Sequence, residues 1–180
     1  MYSRRRFLAA TLTAAAGASL LGPRDRALAA APAMSTRPIP STGERIPVIG
    51  AGTSGSYEAE IGSPKYGQLQ ETIKVFFEGG GTVFDTSPNY AGADAVLGRL
   101  LHDGGWRERC FLATKIAADS LEEAQAQWAK SLRDLHSERV ELLQVHNLRA
   151  WRIQLPYARA LKEQGKTRYV GITHYTDAGL

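Results

Sequence analysis

Four side chains in this 180-residue sequence could together deliver a proton and orient a carbonyl: Asp85, Tyr90, Lys115 and His146. A phenol, titrating at about 10 in water, is a poor acid at neutral pH. An ammonium beside it eases proton release, and a carboxylate keeps that ammonium charged and oriented. Tyr90, Lys115 and Asp85 thus form a candidate proton-donating relay, and His146 could hydrogen-bond a carbonyl oxygen. None of the four can reduce a carbonyl, so a hydride would have to come from a cofactor. Singly, each has a plain structural explanation: a helix-capping Asp, a solvated Lys, a Tyr at a core edge, a satisfied His. What sets them apart is that they fall at the ends of successive strands.

The strands and helices that must position them alternate along the chain. Residues 31–47, rich in Pro, Ser and Thr, read as a tail leading into a hairpin that turns at Ser41-Thr42-Gly43. Strands are expected over Val48–Thr53, Thr82–Asp85, Cys110–Lys115, Val140–His146 and Tyr169–Thr173. Helices are expected over Leu69–Glu78, Ala93–Leu101, Leu121 to about Leu135, and Trp151–Glu163. Ser120 and Glu123 have capping-box spacing, and Leu121, Ala124, Trp128, Leu132 and Leu135 form the expected inward stripe. Gly50, Gly52 and Gly55 have the G-x-G-x-x-G spacing, but no helix opens directly after them, so they read as a turn with close backbone approach.

A β/α period of about thirty residues belongs to parallel βαβ units. Without a nucleotide fingerprint, the expected fold class is α/β: a TIM (β/α)8 barrel with about five β/α units present. The expectation is therefore the N-terminal part of a larger protein, since a closed barrel has eight strands.

The first 29 residues read as a separate segment. Ser3-Arg4-Arg5-Arg6-Phe7-Leu8 has the order of a twin-arginine signal, an Ala/Leu-rich run follows, and Ala27-Leu28-Ala29 suits a signal peptidase. Export, to the periplasm or its equivalent, and residues 30–180 as the mature protein are the expectations. Five arginines and one aspartate in this segment carry the whole net charge of +4. The remainder is neutral, which excludes a broadly basic nucleic-acid-binding surface. Nor is stable membrane anchoring expected after signal removal. A single cysteine, Cys110, excludes an internal disulfide and reads as a buried core residue.

The stretch "FDTSPNYAGADAVLG" resembles the D-T/S-x-x-x-Y-G-x-x-E-x-x-L-G signature of the aldo-keto reductase family, through Asp85, Tyr90, Asp94 and Leu97-Gly98. "ATK" ending at Lys115 and "LLQVHN" around His146 are similar to its next two signatures, in order and spacing. "IPVIGAGT" and "GKTRYVGIT" resemble its first and fifth strands. The resemblance implies NADPH-dependent reduction of aldehydes or ketones, or the reverse oxidation. It makes Tyr90 the general acid, Lys115 and Asp85 its tuners, and His146 the substrate orienter. Gly52, Thr53, Asp85, Thr173 and His174 match positions near the cofactor; no metal is implied.

Three departures stand out. The strands carrying most of the family's diphosphate and 2′-phosphate contacts are not among those expected here, so the 180-residue chain is expected to bind NADPH poorly or not at all. Ala91 follows the tyrosine where the family has Gly, and Thr173-His174 replaces a Ser-Asn pair that holds the nicotinamide carboxamide. Three other readings remain open: a non-catalytic, nucleotide- or partner-binding barrel, a truncated inactive product, and a metal-dependent hydrolase using Asp85 and His146. The latter has little support, since the only histidines are His102, His136, His146 and His174 and no H-x-H run occurs.

Overall fold

The computed structural model describes residues 33–176; the signal segment expected over residues 1–29 lies outside the described residues. A two-stranded antiparallel hairpin, β1 (Thr36–Pro38) and β2 (Arg45–Pro47), comes first. Gly43, at φ 74°, makes the left-handed turn residue between them. Five parallel strands follow in chain order: β3 (Gly50–Gly52), β4 (Val83–Asp85), β5 (Phe111–Ile116), β6 (Val140–Val145) and β7 (Thr167–Ile172). The connecting helices are α1 (Pro64–Glu78), α2 (Ala93–Asp103), α3 (Leu121–Asp134) and α4 (Trp151–Glu163). Neighbouring parallel strands joined in sequence by single helices are the repeating unit of a β/α barrel, and five such strands are present.

The core lies between the outer face of the sheet and the helices. On β5 Leu112, Thr114 and Ile116 are almost completely buried toward the helices, and the alternating pleat sends Phe111, Ala113 and Lys115 to the inner face. Phe84 of β4 packs edge-on to Phe76 at 5.1 Å and against Phe77 at 5.5 Å, and Phe77 stacks on Trp106. Burying Phe84 completely stabilises the sheet by roughly 1.5–3 kcal/mol. Gly98 explains the Leu-Gly of the signature: a Cβ there would lie 2.1 Å from the Asp134 carbonyl oxygen and 2.5 Å from Leu135 Cα. Only a glycine lets α2 approach the end of α3 this closely.

Four local expectations are corrected. Helix α1 starts at Pro64 and not at Leu69, because the Ser63 hydroxyl caps it by accepting from the Tyr66 N–H and Pro64 sits in the first turn. Leu121 is 46 % exposed, because it opens α3 and faces away from the sheet; Ser131 takes a buried place on that helix instead. The Ser120 cap forms as expected, but Glu123 reaches back to the Asp119 N–H, one residue before the cap. Strand β3 is only Gly50–Gly52, shorter than the expected Val48–Thr53, and both Val48 and Ile49 are exposed.

The far end of the strands, where β5 and β6 begin, is fastened by charge. Glu141 is nearly buried, accepts from the Leu112 N–H at 2.9 Å and pairs with Arg107 at 3.1 Å. Its carboxylate thus supplies an acceptor that the strand ladder lacks there. Tyr169 of β7 stacks on Phe111 and donates its hydroxyl to Glu44 near the hairpin at 2.5 Å.

Candidate active site

Five strand ends converge on one rim: Thr53 follows β3, Asp85 closes β4, Lys115 is next to last in β5, His146 follows β6 and Thr173 follows β7. Side chains two residues apart share a face, and parallel register aligns the ends, so the polar groups collect where the ladder stops.

Lys115 is almost completely buried, and its ammonium donates to Asp85 Oδ1 and, at 2.8 Å, to the Thr86 carbonyl. The Asp85 side chain is 40 % exposed, so this ion pair has one end in the protein and one near water. Its second oxygen accepts from Gln144 Nε2 at 3.0 Å. Tyr90 sits in the turn after β4, half-buried against the core, and the Lys115 ammonium lies 4.9 Å from its ring centroid. The expected Tyr90–Lys115 contact is therefore present as cation on ring face. Among the described residues the Tyr90 hydroxyl makes no hydrogen bond to Lys115.

His146 meets Tyr90 edge-on, with ring centroids 5.9 Å apart. Its Nδ1 lies 3.2 Å from Ser87 Oγ, which already accepts from the Asn89 N–H at 3.3 Å. Where the Ser87 hydroxyl donates to Nδ1, the imidazole carries its proton on Nε2, facing the site. Burial holds the imidazole below its ordinary titration range, Lys115 adds to that effect, and Asp85 opposes it. A neutral His146 acts as a hydrogen-bond donor and not as a cation.

The backbone is strained next to these residues. Ala91 (φ 41°) follows Tyr90, and Asn147 (φ 54°), Leu148 (φ 55°) and Ala150 (φ 41°) follow His146, all left-handed without being glycine. Ala91 shows why the family signature has Gly at this position. Asp94, standing where the signature has Glu, is fully buried; burial pushes its carboxyl up, and Oδ1 accepts from the Ala95 N–H.

The residues expected near a cofactor divide into two groups. Gly52 is open, with nothing within 4 Å of where a Cβ would be. The Thr173 hydroxyl accepts from the Asn147 N–H at 3.0 Å and keeps its own hydrogen. Thr53 is fully buried and donates to Thr86 Oγ1 at 2.9 Å, so it belongs to the wall. The His174 ring turns into its own loop, 3.1 Å from the Thr176 N–H and stacked on Tyr175. The structure adds Ser87 and Gln144 to the expected set, through their contacts with His146 and Asp85. Gln144 is within reach of the sequence alone, since it stands two residues before His146 on the same strand face.

A cavity of about 340 Å3 lies at the opposite end of the strands, lined by Glu44, Arg45, Phe111, Arg139 and Arg168 among others. Two ion pairs close within it, Arg168–Glu44 at 2.9 Å and Arg139–Glu108 at 3.6 Å, and none of the rim residues borders it. The converging strand ends, not this cavity, carry the candidate chemistry. Among the described residues no group of three His, Cys, Asp or Glu side chains could hold a metal ion, and no helix is long and apolar enough to cross a membrane. Cys110 is buried, which pushes its thiol up and leaves it a core residue.

Comparison with known proteins gives the family and the fold. The chain is 29 % identical over 157 residues to L-galactose dehydrogenase of Arabidopsis thaliana, covering 76 % of this chain and 47 % of the relative. It therefore spans about half the length of that relative. A Klebsiella pneumoniae aldo/keto reductase solved with NADP and acetate shares the fold, with a TM-score of 0.64 at 23 % identity, over 76 % of this chain and 49 % of that one. The holo form of a Bacillus halodurans aldo-keto reductase does so with a TM-score of 0.67 at 21 % identity, over 79 % and 51 %. Residues 48–179 match the family model described as the aldo/keto reductase family, and the chain belongs to that family.

Proposed function

We propose that the protein is an NADPH-dependent oxidoreductase that reduces aldehyde or ketone carbonyls, or runs the reverse alcohol oxidation. The observation that carries this reading is the meeting of Asp85, Lys115, Tyr90 and His146 at the ends of three consecutive strands. In this reading Tyr90 gives its phenolic proton to the carbonyl oxygen as the C=O bond becomes C–O–H. Lys115, held by Asp85, stabilises the negative charge left on the Tyr90 side, and His146 Nε2–H holds the carbonyl oxygen in line. NADPH, when bound, supplies the hydride that the carbonyl carbon needs.

The nicotinamide end of such a cofactor suits the residues present. Gly52 leaves open space beside the rim, and the Thr173 hydroxyl retains a hydrogen to donate to a carboxamide oxygen. His174 would have to leave its contacts with Thr176 to take part. The Klebsiella relative solved with NADP supports the choice of cofactor.

The test is aldehyde-dependent NADPH oxidation by the full-length protein and by Tyr90→Phe. The variant is expected to lose turnover by about 10²-fold or more while still binding NADPH, because the aromatic ring stays and only the proton-donating hydroxyl is lost. Equal turnover in the two proteins removes Tyr90 from its role. Export by the twin-arginine route is part of the same proposal, carried by Ser3-Arg4-Arg5-Arg6-Phe7-Leu8. Replacing Arg4 and Arg5 by Lys should then retain the protein inside the cell, and unchanged export would dismiss the signal.

A further inference from the structure

We propose that Gln144 is a positioning residue for proton donation, acting through Asp85; this role rests on the reductase reading above. Asp85 has two oxygens with different tasks. Oδ1 takes the Lys115 ammonium, and Oδ2 takes the Gln144 amide at 3.0 Å. The Asp85 side chain is 40 % exposed, so without a second donor it could rotate about its terminal bond and trade Lys115 for water. The amide pins the carboxylate plane. It does so without adding charge, which leaves Lys115 as the positive partner of Asp85.

The strand architecture makes this contact possible. Gln144 pairs directly with Lys115 across the β5–β6 ladder, so both side chains point to the inner face. From there the Gln144 side chain passes over β5 to reach Asp85 on β4, joining three consecutive strands. On the other side Gln144 pairs with Gly171 of β7. A Cβ at Gly171 would come to 3.4 Å from Gln144 Cγ and 3.9 Å from its Oε1. A Cβ there would meet Gln144 in ordinary van der Waals contact, so the Gln144 side chain lies directly against this strand.

The ordered series is Gln144 to Asp85 to Lys115 to the Tyr90 ring. Each member is held by the one before, and only Tyr90 has the proton to give. Lys115 has one further anchor, the Thr86 carbonyl, which fixes its distance from β4 but leaves the orientation of Asp85 to Gln144. A residue that merely packed in this place would serve equally well as methionine.

Gln144→Met keeps the length of the side chain and removes the donor; Gln144→Glu keeps its shape and sets a second carboxylate against Asp85. Both are compared with the wild-type full-length protein for kcat and KM with an aldehyde, NADPH dissociation constant, and the solvent deuterium isotope effect on kcat. The expected result for Gln144→Met is a loss of kcat of about tenfold, short of the ~10²-fold that a 1 Å misplacement of a reacting group costs. The NADPH dissociation constant should stay within about twofold and the solvent isotope effect should rise, because proton delivery has become the slow step. Gln144→Glu should lose more than Gln144→Met. Wild-type kcat and isotope effect in Gln144→Met overturn the role, as does a parallel loss of NADPH affinity. A wild type that does not oxidise NADPH with any aldehyde overturns the reductase reading itself, an outcome distinct from an active wild type matched by its variants.

Discussion

The Lys115 ammonium lies against the face of the Tyr90 ring, 4.9 Å from its centroid, while it donates to Asp85 from the side away from solvent. Lysine 115 therefore has its charge committed in two directions by two elements, β4 and the turn that follows it. The contact with Tyr90 is electrostatic and needs the ammonium, whereas the space that Lys115 fills is nearly closed to solvent.

Lys115→Met is accordingly expected to fold and to fail. Methionine fills the buried stem, and the freed Asp85 carboxylate keeps Gln144 and takes up water at its exposed side. Destabilisation should stay below about 2 kcal/mol, less than breaking a fully buried ion pair costs. Aldehyde reduction should fall by about 10²-fold or more. Urea unfolding and steady-state kinetics on the same preparation check both; near wild-type turnover would leave the ammonium without a part in the chemistry.

His146 makes stability depend on pH in one direction. Because burial, reinforced by Lys115, lowers its proton affinity in the folded state, the unfolded chain binds that proton more readily. The stability tied to His146 is complete above the unfolded value of about 6.5 and is lost as pH falls below it. Urea midpoints measured from pH 7.5 down to 5.5 should decline more steeply in the wild type than in His146→Gln. Parallel declines would assign the effect to other groups.

Ala91→Gly should stabilise the protein. Alanine at φ 41° sits in the left-handed region, which costs a residue with a Cβ roughly 1–2 kcal/mol, while glycine loses part of that gain through its freer unfolded chain. The net expectation is about 0.5–1 kcal/mol in favour of the variant, read as a rise in Tm of a few degrees. A lower Tm would show that the Ala91 methyl contributes packing that outweighs the strain.

Gly98→Ala should do the opposite. The added methyl would collide with the backbone at Asp134 and Leu135, and backbone cannot turn aside as a side-chain tip can. Helices α2 and α3 would have to separate, at about 1–3 kcal/mol. Thermal unfolding would record the loss; an unchanged Tm would mean that the two helices yield at little cost.

Much of this fold is legible in the order of residues. Short apolar runs mark β4 to β7 within a residue or two, since a strand such as β5 is buried on both faces, and the helical period marks α2, α3 and α4, which bury one. The opening of α1 was hidden because Pro64 and Gly67 look like loop residues, although a proline in the first helical turn loses no hydrogen bond. Leu121 departs from the expected stripe because the first residue of a helix need not lie on its inward face, however apolar it is.

For the candidate site, the sequence by itself determined which groups stand at the strand ends. Asp85, Lys115 and His146 could be named from strand boundaries alone, and Tyr90 from its distance to Asp85. Tertiary structure alone decided which atoms meet. That Lys115 faces the ring of Tyr90, that Ser87 rather than a carboxylate orients His146, and that Gln144 reaches across β5 to Asp85 all depend on strand register and side-chain direction. Spacing along a chain specifies the face on which a side chain lies. Which side chain from another strand occupies the space above it follows only when the sheet is assembled.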